Sequence, residues 1–410
     1  MSQPTSLGES VVQQELSGQA KNNGVSANAT QTQPLWLLAE VTYRCPLQCA
    51  FCFNPTDFDK HTQNELTTEQ WIDALRDARK MGAVQLGISG GEPLLRDDIE
   101  DIVVEAKKLG YYSNLITSGV GLTEKRIQAF KDGGLDHIQL SMHDITAEIN
   151  NFITNTKTFK LKQKVAAMIK GHGYPMVLNV VLHRYNIGHL KEILEMAEAL
   201  GADYIELANT QYYGWSLVNR DQLMPLKEQV DEAERITKEF REQSDSNMKI
   251  FFVVPDYFGD RPKKCMNGWG EVFMIVTANG DVLPCHSARV LPNMEFPNVK
   301  ADGLEYAWKE SPAFNKYRGD DWMKEPCRSC SEKENDLGGC RCQAFLLSGD
   351  AESADPVCSL SPNHYLIEQA IEDSQNPALS EKPIIFRTNA KSKEYGEGDK
   401  ERIERFHAVP

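Results

Sequence analysis

The sequence predicts an α/β protein in which a parallel β-sheet is followed by a cysteine-rich module. From Leu35 onward, short apolar runs alternate with longer segments of helical periodicity, a pattern typical of strands joined by crossover helices. A glycine recurs between each helical segment and the next strand, at the position where a left-handed residue closes a helix. Seven of the ten cysteines fall between residues 262 and 362, where Gly, Pro and Asp are also frequent.

Six strands are predicted in the first half of the chain: Trp36–Val41, Val84–Ser89, Ser113–Thr117, His137–Met142, Met176–Leu182 and Tyr204–Ala208. Six βα units of this kind form a partial (βα)6 TIM-like barrel, whose functional residues lie beyond the carboxyl ends of the strands. The apolar run Ile250–Pro255 predicts one further, bridging strand. Its edge is an expected dock for a peptide or a chaperone by strand addition.

The helix boundaries also carry signals. Thr67-x-x-Gln70 and Asp97-x-x-Glu100 both resemble capping boxes, in which side chains satisfy the free N–H groups of the first turn. In the fifth helix one apolar face, predicted to pack on the sheet, consists of Leu190, Ile193, Leu194 and Ala197. A sixth helix is predicted from about Leu226 to Arg241. The expected helix-ending glycines are Gly82, Gly110, Gly134, Gly173 and Gly201.

Shifts in composition divide the chain. The first segment is rich in Gln, Ser, Asn and Thr, which predicts a disordered N-terminal extension. The last segment is charged and poorly patterned, although Ile384–Phe386 is apolar enough to dock as a short strand. The predicted divisions are an extension over 1–34, a barrel core over 35–248, a bridging segment over 249–262, a cysteine-rich domain over 263–372 and a tail over 373–410.

Composition argues against two classes of partner. The net charge is −15 and no basic cluster is present, so the electrostatic footprint of a protein that binds nucleic acid or an anionic membrane is missing. The N-terminal segment has no apolar run that would make a signal peptide or a membrane span. The expected location is therefore cytoplasmic. In that reducing compartment clustered cysteines bind metal more often than they form disulfides.

Cys45, Cys49 and Cys52 lie on the loop that follows the first strand, with the spacing C-x3-C-x2-C. A structural zinc or iron-sulfur site normally has four protein ligands. Three thiolates on one loop therefore indicate a metal centre with one coordination position open for a small molecule. The alternatives are a zinc knuckle or a set of buried thiols.

This spacing, with Phe51 before the last cysteine, resembles the signature of the radical S-adenosylmethionine (SAM) enzymes. The resemblance implies a 4Fe-4S cluster whose open iron is chelated by SAM, and the cleavage of SAM to a 5′-deoxyadenosyl radical. Gly90-Gly91-Glu92-Pro93, after the second strand, resembles the GGEP element of the same family, which implies a contact with the SAM amino group. Ser118 and Ser141, at the ends of the third and fourth strands, are positional candidates for contacts with the ribose and carboxylate of SAM.

The later cysteines resemble the SPASM extension, which holds two auxiliary iron-sulfur clusters in peptide-modifying radical SAM enzymes. By that resemblance an inner cluster, 2Fe-2S or 4Fe-4S, would be bound by Cys265, Cys285 and Cys340. An outer 4Fe-4S cluster would be bound by Cys327, Cys330 and Cys358.

The chain departs from that pattern at Asp336, where the family commonly has cysteine, and at the additional Cys342. The simplest assignment gives Cys342 to the inner site and an Asp336 carboxylate oxygen to the outer one. Two alternatives stay open. In the first, Asp336 is a solvated turn residue and binds no cluster. In the second, Cys327-x2-Cys330 and Cys340-x-Cys342 form a zinc ribbon.

Further polar and aromatic residues are expected at the mouth of the barrel: His143 and Asp144, His183 and Arg184, and the run from Gln211 to Trp215. Each follows a predicted strand. Such residues either touch substrate or satisfy local structure, and a single sequence does not separate these roles.

Within the family, Phe53-Asn54-Pro55, the stretch from Tyr204 to Trp215 and Asp336 resemble the peptide cyclases of pyrroloquinoline quinone (PQQ) biosynthesis. The resemblance implies an oxidoreductase that joins a Glu γ-carbon to a Tyr ring carbon in a PqqA-like precursor peptide. It also implies a small PqqD-like peptide chaperone and a reductase or flavodoxin as electron donor. The alternatives are another SPASM maturase, which forms thioethers or activates sulfatases, and, more distantly, a zinc-binding scaffold.

Overall fold

The structure is a computed structural model that describes residues 32–244, 246–253 and 255–395. The predicted N-terminal extension lies outside the described residues apart from residues 32–34, so its disorder stays a prediction. Within the described ranges no helix is both long and apolar enough to cross a membrane.

Among the described residues, one sheet of nine strands organises the fold, in the order β7-β6-β5-β4-β3-β2-β1-β8-β9. All neighbouring strands are parallel except β8 and β9, which are antiparallel. The ladder has β7 and β9 as its edges, so it is open, as in a partial barrel. The strands are β1 Trp36–Glu40, β2 Gln85–Ser89, β3 Tyr112–Thr117, β4 His137–Ser141, β5 Met176–Leu182, β6 Tyr204–Asn209, β7 Lys249–Val253, β8 Phe273–Val276 and β9 Val282–Leu283.

Helices connect the parallel strands. In the first half of the chain they are α1 Phe58–His61, α2 Thr68–Met81, α3 Ile99–Lys108, α4 Glu124–Gly133, α5 Ala147–Thr154, α6 Phe159–Gly171, α7 Leu190–Ala199, α8 Gly214–Val218, α9 Arg220–Leu223 and α10 Lys227–Gln243. In the second half they are α11 Leu304–Lys309, α12 Pro312–Asn315, α13 Lys333–Asp336, α14 Arg341–Ser348, α15 Tyr365–Gln375 and α16 Pro377–Ser380. Short 3₁₀ helices span Pro93–Leu95, Ile187–His189, Asp256–Phe258, Cys265–Asn267 and Ala288–Val290.

The predicted fold class is confirmed, since a parallel sheet with crossover helices is followed by the cysteine-rich region. All six predicted strands are present, and β5 has the predicted bounds. The predicted bridging strand is β7, which pairs with β6 as the seventh parallel strand of the sheet. Val254 lies outside the described residues. The cysteine-rich region also contributes β8, which continues the sheet beyond β1.

One predicted capping box forms and the other does not. The Thr67 hydroxyl accepts a hydrogen bond from the Gln70 amide, and the Gln70 side chain accepts one from the Thr67 amide. The prediction for Asp97 is wrong, because α3 begins one residue later, with Asp98 at its N-cap position. The Asp98 carboxylate accepts hydrogen bonds from the Arg96 guanidinium, at 2.8 Å, and from the Thr68 hydroxyl, and it does not cap the helix.

The helix ends and the core agree with the sequence. All five expected helix-ending glycines have φ between 69° and 115°, the left-handed range that residues with a Cβ rarely adopt. The apolar face of α7 is fully buried at each of its four predicted positions. It packs in the main core, which lies between the sheet and its helices. This arrangement holds the loops at the carboxyl ends of the strands in fixed positions.

Candidate active site and auxiliary cysteine sites

The loop with the three clustered cysteines is held against the turn that follows β2. Beyond β1 the chain stays extended, so that the Gly91 amide donates to the Thr42 carbonyl at 2.5 Å and the Glu92 amide donates to the Arg44 carbonyl at 2.8 Å. Both glycines are required by this close approach. A Cβ atom at Gly90 would lie 2.3 Å from the Thr42 carbonyl oxygen, and one at Gly91 would lie 2.3 Å from that of Arg44.

Cys45, Cys49 and Cys52 are free, half-buried thiols that act on one another electrostatically. Burial raises the pKa of Cys45 to about 12, and the negative charge of Glu92 adds to this effect. Burial likewise raises the pKa of Cys49, and the negative charges of Cys45 and Cys52 raise it further. Three thiols placed so close together carry their charge readily only beside a cation such as a metal centre. The structure therefore brings the three predicted ligands together.

Glu92 is fully buried and all of its acceptor positions are used. One oxygen accepts from the Thr117 hydroxyl at 2.6 Å and the Leu94 amide at 3.1 Å, and the other accepts from the Ser118 amide at 2.8 Å and its hydroxyl at 2.5 Å. Burial raises the pKa of this carboxyl, although these hydrogen bonds oppose the effect. Glu92 thus ties the turn after β2 to the end of β3. A contact from its side chain to the SAM amino group stays a prediction.

The other positional candidates lie around the same turn. Pro93 opens the 3₁₀ helix that follows Glu92. The hydroxyl of Ser118 is already donated to Glu92, which is the local role that a serine at a strand end often has. Ser141 is the last residue of β4 and is partly exposed. Their contacts with SAM also stay predictions.

Phe51 lies between two buried histidines at the carboxyl ends of β4 and β5. Its ring centroid is 4.6 Å from that of His143, at 68°, and 6.0 Å from that of His183, at 24°. Burial lowers the pKa of His143 well below its usual value and that of His183 to about 3. Both imidazoles are therefore neutral, and the three rings form one uncharged wall beside the cysteine loop.

Most of the remaining candidates at the mouth are engaged in structural bonds. Asp144 accepts from the amide and hydroxyl of Thr146, at 2.7 and 2.6 Å, and pairs with His189 at 2.8 Å. Arg184 donates to the Met224 carbonyl at 2.8 Å. The Trp215 amide donates to the Cys52 carbonyl at 3.0 Å, so α8 supports the cysteine loop directly.

In the cysteine-rich region, one group is formed by the buried Cys285 and Cys342 and the half-buried Cys265 and Cys340. The Cys285 and Cys342 sulfur atoms are 3.7 Å apart. Hydrogen bonds also join Cys265 to Cys285 and to Cys340, and Cys340 to Cys342, so the four thiols form a closed ring. Sharing these hydrogen bonds lowers the pKa of Cys285 and Cys340. The residues predicted for the inner site, including the additional Cys342, are thus brought together.

A second set surrounds a cavity of about 290 Å³. All four residues predicted for the outer site line it: Cys327, Cys330, Asp336 and Cys358. The two cysteine pairs of the alternative zinc ribbon lie apart, one at this cavity and the other in the inner group. Asp336 also accepts a hydrogen bond from the Gly338 amide at 2.8 Å, which orients its carboxylate.

Two comparisons with known families decide what these sites belong to. The sequence model of the radical SAM superfamily matches residues 39–197. That of the SPASM iron-sulfur cluster-binding domain matches residues 265–331. The chain carries a radical SAM domain followed by a SPASM domain.

Solved structures share this fold. SuiB of Streptococcus suis bound to S-adenosylmethionine is 20% identical, with a TM-score of 0.67 over 80% of this chain and 78% of that one. SuiB bound to the precursor peptide SuiA is 19% identical, with a TM-score of 0.65 over 80% and 76%. Native anSMEcpe with bound AdoMet and Cp18Cys peptide is 18% identical, with a TM-score of 0.58 over 84% and 98%.

The two domains imply a 4Fe-4S cluster, SAM and auxiliary iron-sulfur clusters as cofactors. The residues present fit these groups, since three thiols share one loop and two further four-residue sets lie in the cysteine-rich region, which the SPASM model matches in part. No group of three or more Cys, His, Asp or Glu among the described residues is arranged to hold a single metal ion. A cluster, by contrast, distributes its thiolates over two or four iron atoms.

Sequence reasoning missed Lys162, which lies in α6 of the radical SAM domain. Its side chain is 0% exposed, and Nζ has no hydrogen-bond partner in the part of the chain that the structure describes. Burial lowers the pKa of Lys162 to about 8, although the charges of Cys49 and Glu92 oppose this. The available signal was a lysine at an apolar-face position, in register with Phe159, Ala166 and Ile169. An unpaired buried ammonium group is costly and indicates a missing anion.

Proposed function

We propose that this radical SAM enzyme is a peptide cyclase that joins a Glu γ-carbon to a Tyr ring carbon in a PqqA-like precursor peptide. The observation that carries the proposal is the outer cavity, where Asp336 stands with three cysteines as the resemblance to the PQQ cyclases implies. The overall reaction removes two hydrogen atoms from the peptide as the carbon–carbon bond forms. One leaves the Glu γ-carbon as a hydrogen atom, and the other leaves the Tyr ring as a proton and an electron, for which an auxiliary cluster would be the acceptor.

When bound, SAM and the reduced cluster would supply the radical chemistry that removes a hydrogen atom from the substrate. The chain's own residues bind and enclose these groups. Cys45, Cys49 and Cys52 would hold the cluster, and the buried ammonium group of Lys162 would be the charge complement for the SAM carboxylate. The glycines at 90 and 91 let the backbone approach closely, as only residues without a Cβ permit. The ring wall around Phe51 excludes water from the same space.

Tyr213 connects the two domains in this proposal. It belongs to the stretch that resembles the PQQ cyclases, and its hydroxyl lies 3.0 Å from the Cys340 sulfur atom. Its ring also contacts Phe53, next to the last cysteine of the SAM-cluster loop, with centroids 6.2 Å apart at 89°. Tyr213 therefore fixes the inner cysteine group relative to that loop and donates a hydrogen bond to one of its thiolates.

The substrate and partners follow from the same resemblance. A peptide substrate is supported by SuiB, whose complex with the precursor peptide SuiA has this fold, and by anSMEcpe, which was solved with a peptide. A PqqD-like chaperone presents the peptide, and a reductase or flavodoxin in the cytoplasm supplies electrons. The edge strand β7 has no neighbour on its outer side in the described sheet, and we assign it as the dock for strand addition.

The test is product analysis under anaerobic conditions. The reconstituted protein is incubated with SAM, a reductant and a precursor peptide that contains Glu and Tyr. We expect a product about 2 Da lighter whose fragments show a Glu–Tyr link, and deuterium transfer to 5′-deoxyadenosine when the Glu γ-position is deuterated. A variant with Cys45, Cys49 and Cys52 changed to Ala is the control. A thioether in a cysteine peptide, or oxidation of a sulfatase-type Cys or Ser, would identify another maturase and refute the cyclase.

A further inference from the structure

The segment 384–395 lies outside both matched family ranges, yet it is packed against the SAM-cluster loop. We call it the C-terminal strap. Asn219, which is fully buried, clamps it in both directions: its amide donates to the Ile385 carbonyl at 2.8 Å, and its oxygen accepts from the Ile385 amide at 2.7 Å. The same Asn219 amide donates to the Ala50 carbonyl at 2.9 Å. The predicted strand at 384–386 is absent, because this side-chain clamp takes the place of a ladder partner.

Further anchors fix the strap on both sides of this clamp. The Phe386 ring meets that of Phe152 in α5 at 6.0 Å and 88°. The Ser392 hydroxyl accepts a hydrogen bond from the Asp59 amide at 3.0 Å, and Tyr395 meets Trp215 at 5.6 Å and 85°. The strap thus contacts the elements after β1, β4 and β6, which surround the cluster loop.

Arg387 is the strap's buried cation. Its side chain is only 3% exposed. One guanidinium nitrogen donates to the Tyr43 carbonyl at 2.5 Å, and the Cζ atom lies 3.7 Å from the centroid of the Phe58 ring. Nε is buried and has no hydrogen-bond partner within the described ranges. A buried guanidinium with an unused donor is costly unless an anion faces it.

Arg387 lies at the start of the three-cysteine loop. Its hydrogen-bond acceptor Tyr43 precedes Cys45 by two residues. Through Asn219 the neighbouring strap residue Ile385 is joined to Ala50, which stands between Cys49 and Cys52. The positive charge of Arg387 therefore lies beside the loop that carries all three predicted ligands of the SAM cluster, and it acts electrostatically on each of them.

We propose that the C-terminal strap forms one wall of the SAM-cluster site and that Arg387 is the cation that stabilises the reduced cluster. Reduction adds one negative charge to a cluster held by three thiolates, and a buried positive charge beside them favours that state. The strap also covers the cluster loop and so limits the access of oxygen. The inference rests on the proposed role of Cys45, Cys49 and Cys52, and it is independent of the substrate.

The test compares full-length, cluster-loaded variants by redox titration followed by electron paramagnetic resonance. The signal that changes when SAM is added reports the SAM cluster and separates it from the auxiliary clusters. For Arg387→Gln we expect about a tenfold fall in the ratio of reduced to oxidised SAM cluster at a fixed potential, which is about 59 mV for one electron. The absorbance of the clusters should also bleach faster in air than in the wild-type protein.

Two variants control for charge and one for folding. Lys382→Gln removes an exposed positive charge from the same tail and should leave both readouts unchanged. Arg387→Lys keeps the charge and should stay near the wild-type potential. If Arg387→Gln does not load its clusters, Phe58→Leu removes the ring beneath the guanidinium and should shift the potential in the same direction by less.

The outcomes separate this inference from the proposed function. If neither Arg387→Gln nor Phe58→Leu differs from Lys382→Gln while the SAM-responsive signal persists, the strap has no such role and the inference is overturned. If the wild-type protein shows no SAM-responsive signal, the proposed radical SAM function is refuted. The inference about Arg387 is then refuted with it, because there is no SAM cluster for Arg387 to stabilise.

Discussion

Replacing Lys162 by Met should affect SAM binding and the stability of the cofactor-free protein in opposite directions. The ammonium group is fully buried without a hydrogen-bond partner among the residues described, so it is uncompensated until an anion binds. Removing one partner of a buried charge pair costs about 2–5 kcal/mol. At about 1.4 kcal/mol per factor of ten, the Kd for SAM should rise between about 30-fold and several thousand-fold.

The cofactor-free protein should respond differently, because Met fills a similar volume without a charge to desolvate. Replacing buried charge by apolar groups is commonly neutral or stabilising by about 1–4 kcal/mol. We therefore expect the midpoint of thermal unfolding of the metal-free Lys162→Met protein to equal or exceed that of the wild type. A residue with a purely structural role would lower it.

The assay is equilibrium binding of SAM to the cluster-loaded protein, with iron and sulfide measured in each sample to confirm equal loading. Lys164→Met is the matched control, since Lys164 is exposed on the same helix. Unchanged SAM affinity in Lys162→Met with full cluster content would refute the carboxylate role. A large loss of stability in the metal-free variant would show that the ammonium group has a structural partner.

Three further changes test other parts of the site. Gly91→Ala places a Cβ 2.3 Å from a backbone oxygen, so it should lower the unfolding midpoint and the iron content, whereas Gly188→Ala, which meets nothing within 4 Å, should do neither. Tyr213→Phe removes the hydroxyl bonded to Cys340, so it should lower the reduction potential of an auxiliary cluster without changing the Kd for SAM; unchanged potentials would mean that this hydroxyl does not reach the cluster. Asp336→Cys makes the outer set all-thiolate, so it should shift the reduction potential of the outer cluster at unchanged iron content. An unchanged potential would mean that Asp336 is a turn residue and not a cluster ligand.

The sequence predicted those features of the fold that depend on local periodicity. β5 has the predicted bounds because it is an apolar run in which Asn179 is the one polar residue, and every second residue of it is buried. The helix-ending glycines follow from backbone geometry alone. The capping box predicted at Asp97 does not form because α3 begins one residue later, with Asp98 at its N-cap position. The Asp98 carboxylate accepts a hydrogen bond from Arg96 and does not cap the helix. β8 was missed because Phe273–Val276 is a short, fully buried run, whose partner β1 is distant in sequence.

The site shows the same division between local and long-range information. The cysteine spacings fix which thiols are near each other within a loop, but the grouping of Cys342 with Cys285 depends on how the SPASM region folds. The sequence does not predict the contact between the Tyr213 hydroxyl and the Cys340 sulfur atom, although both residues were functional candidates. Such contacts arise from packing between segments far apart in the chain, for which one sequence carries no periodic signal.

Lys162 and Arg387 show how buried charge can still be read once the fold is known. In sequence each follows an apolar neighbour in an unremarkable helix or tail, where a cation is normally solvated. In the structure both are buried, both retain a nitrogen without a hydrogen-bond partner among the described residues, and both act electrostatically on Cys45 and Cys49. Two uncompensated cations at the same three-cysteine loop are stable together only if substantial negative charge binds there. A thiolate-ligated cluster and a carboxylate-bearing cofactor supply that charge, so loading the protein with both should raise its unfolding temperature by more than either does alone.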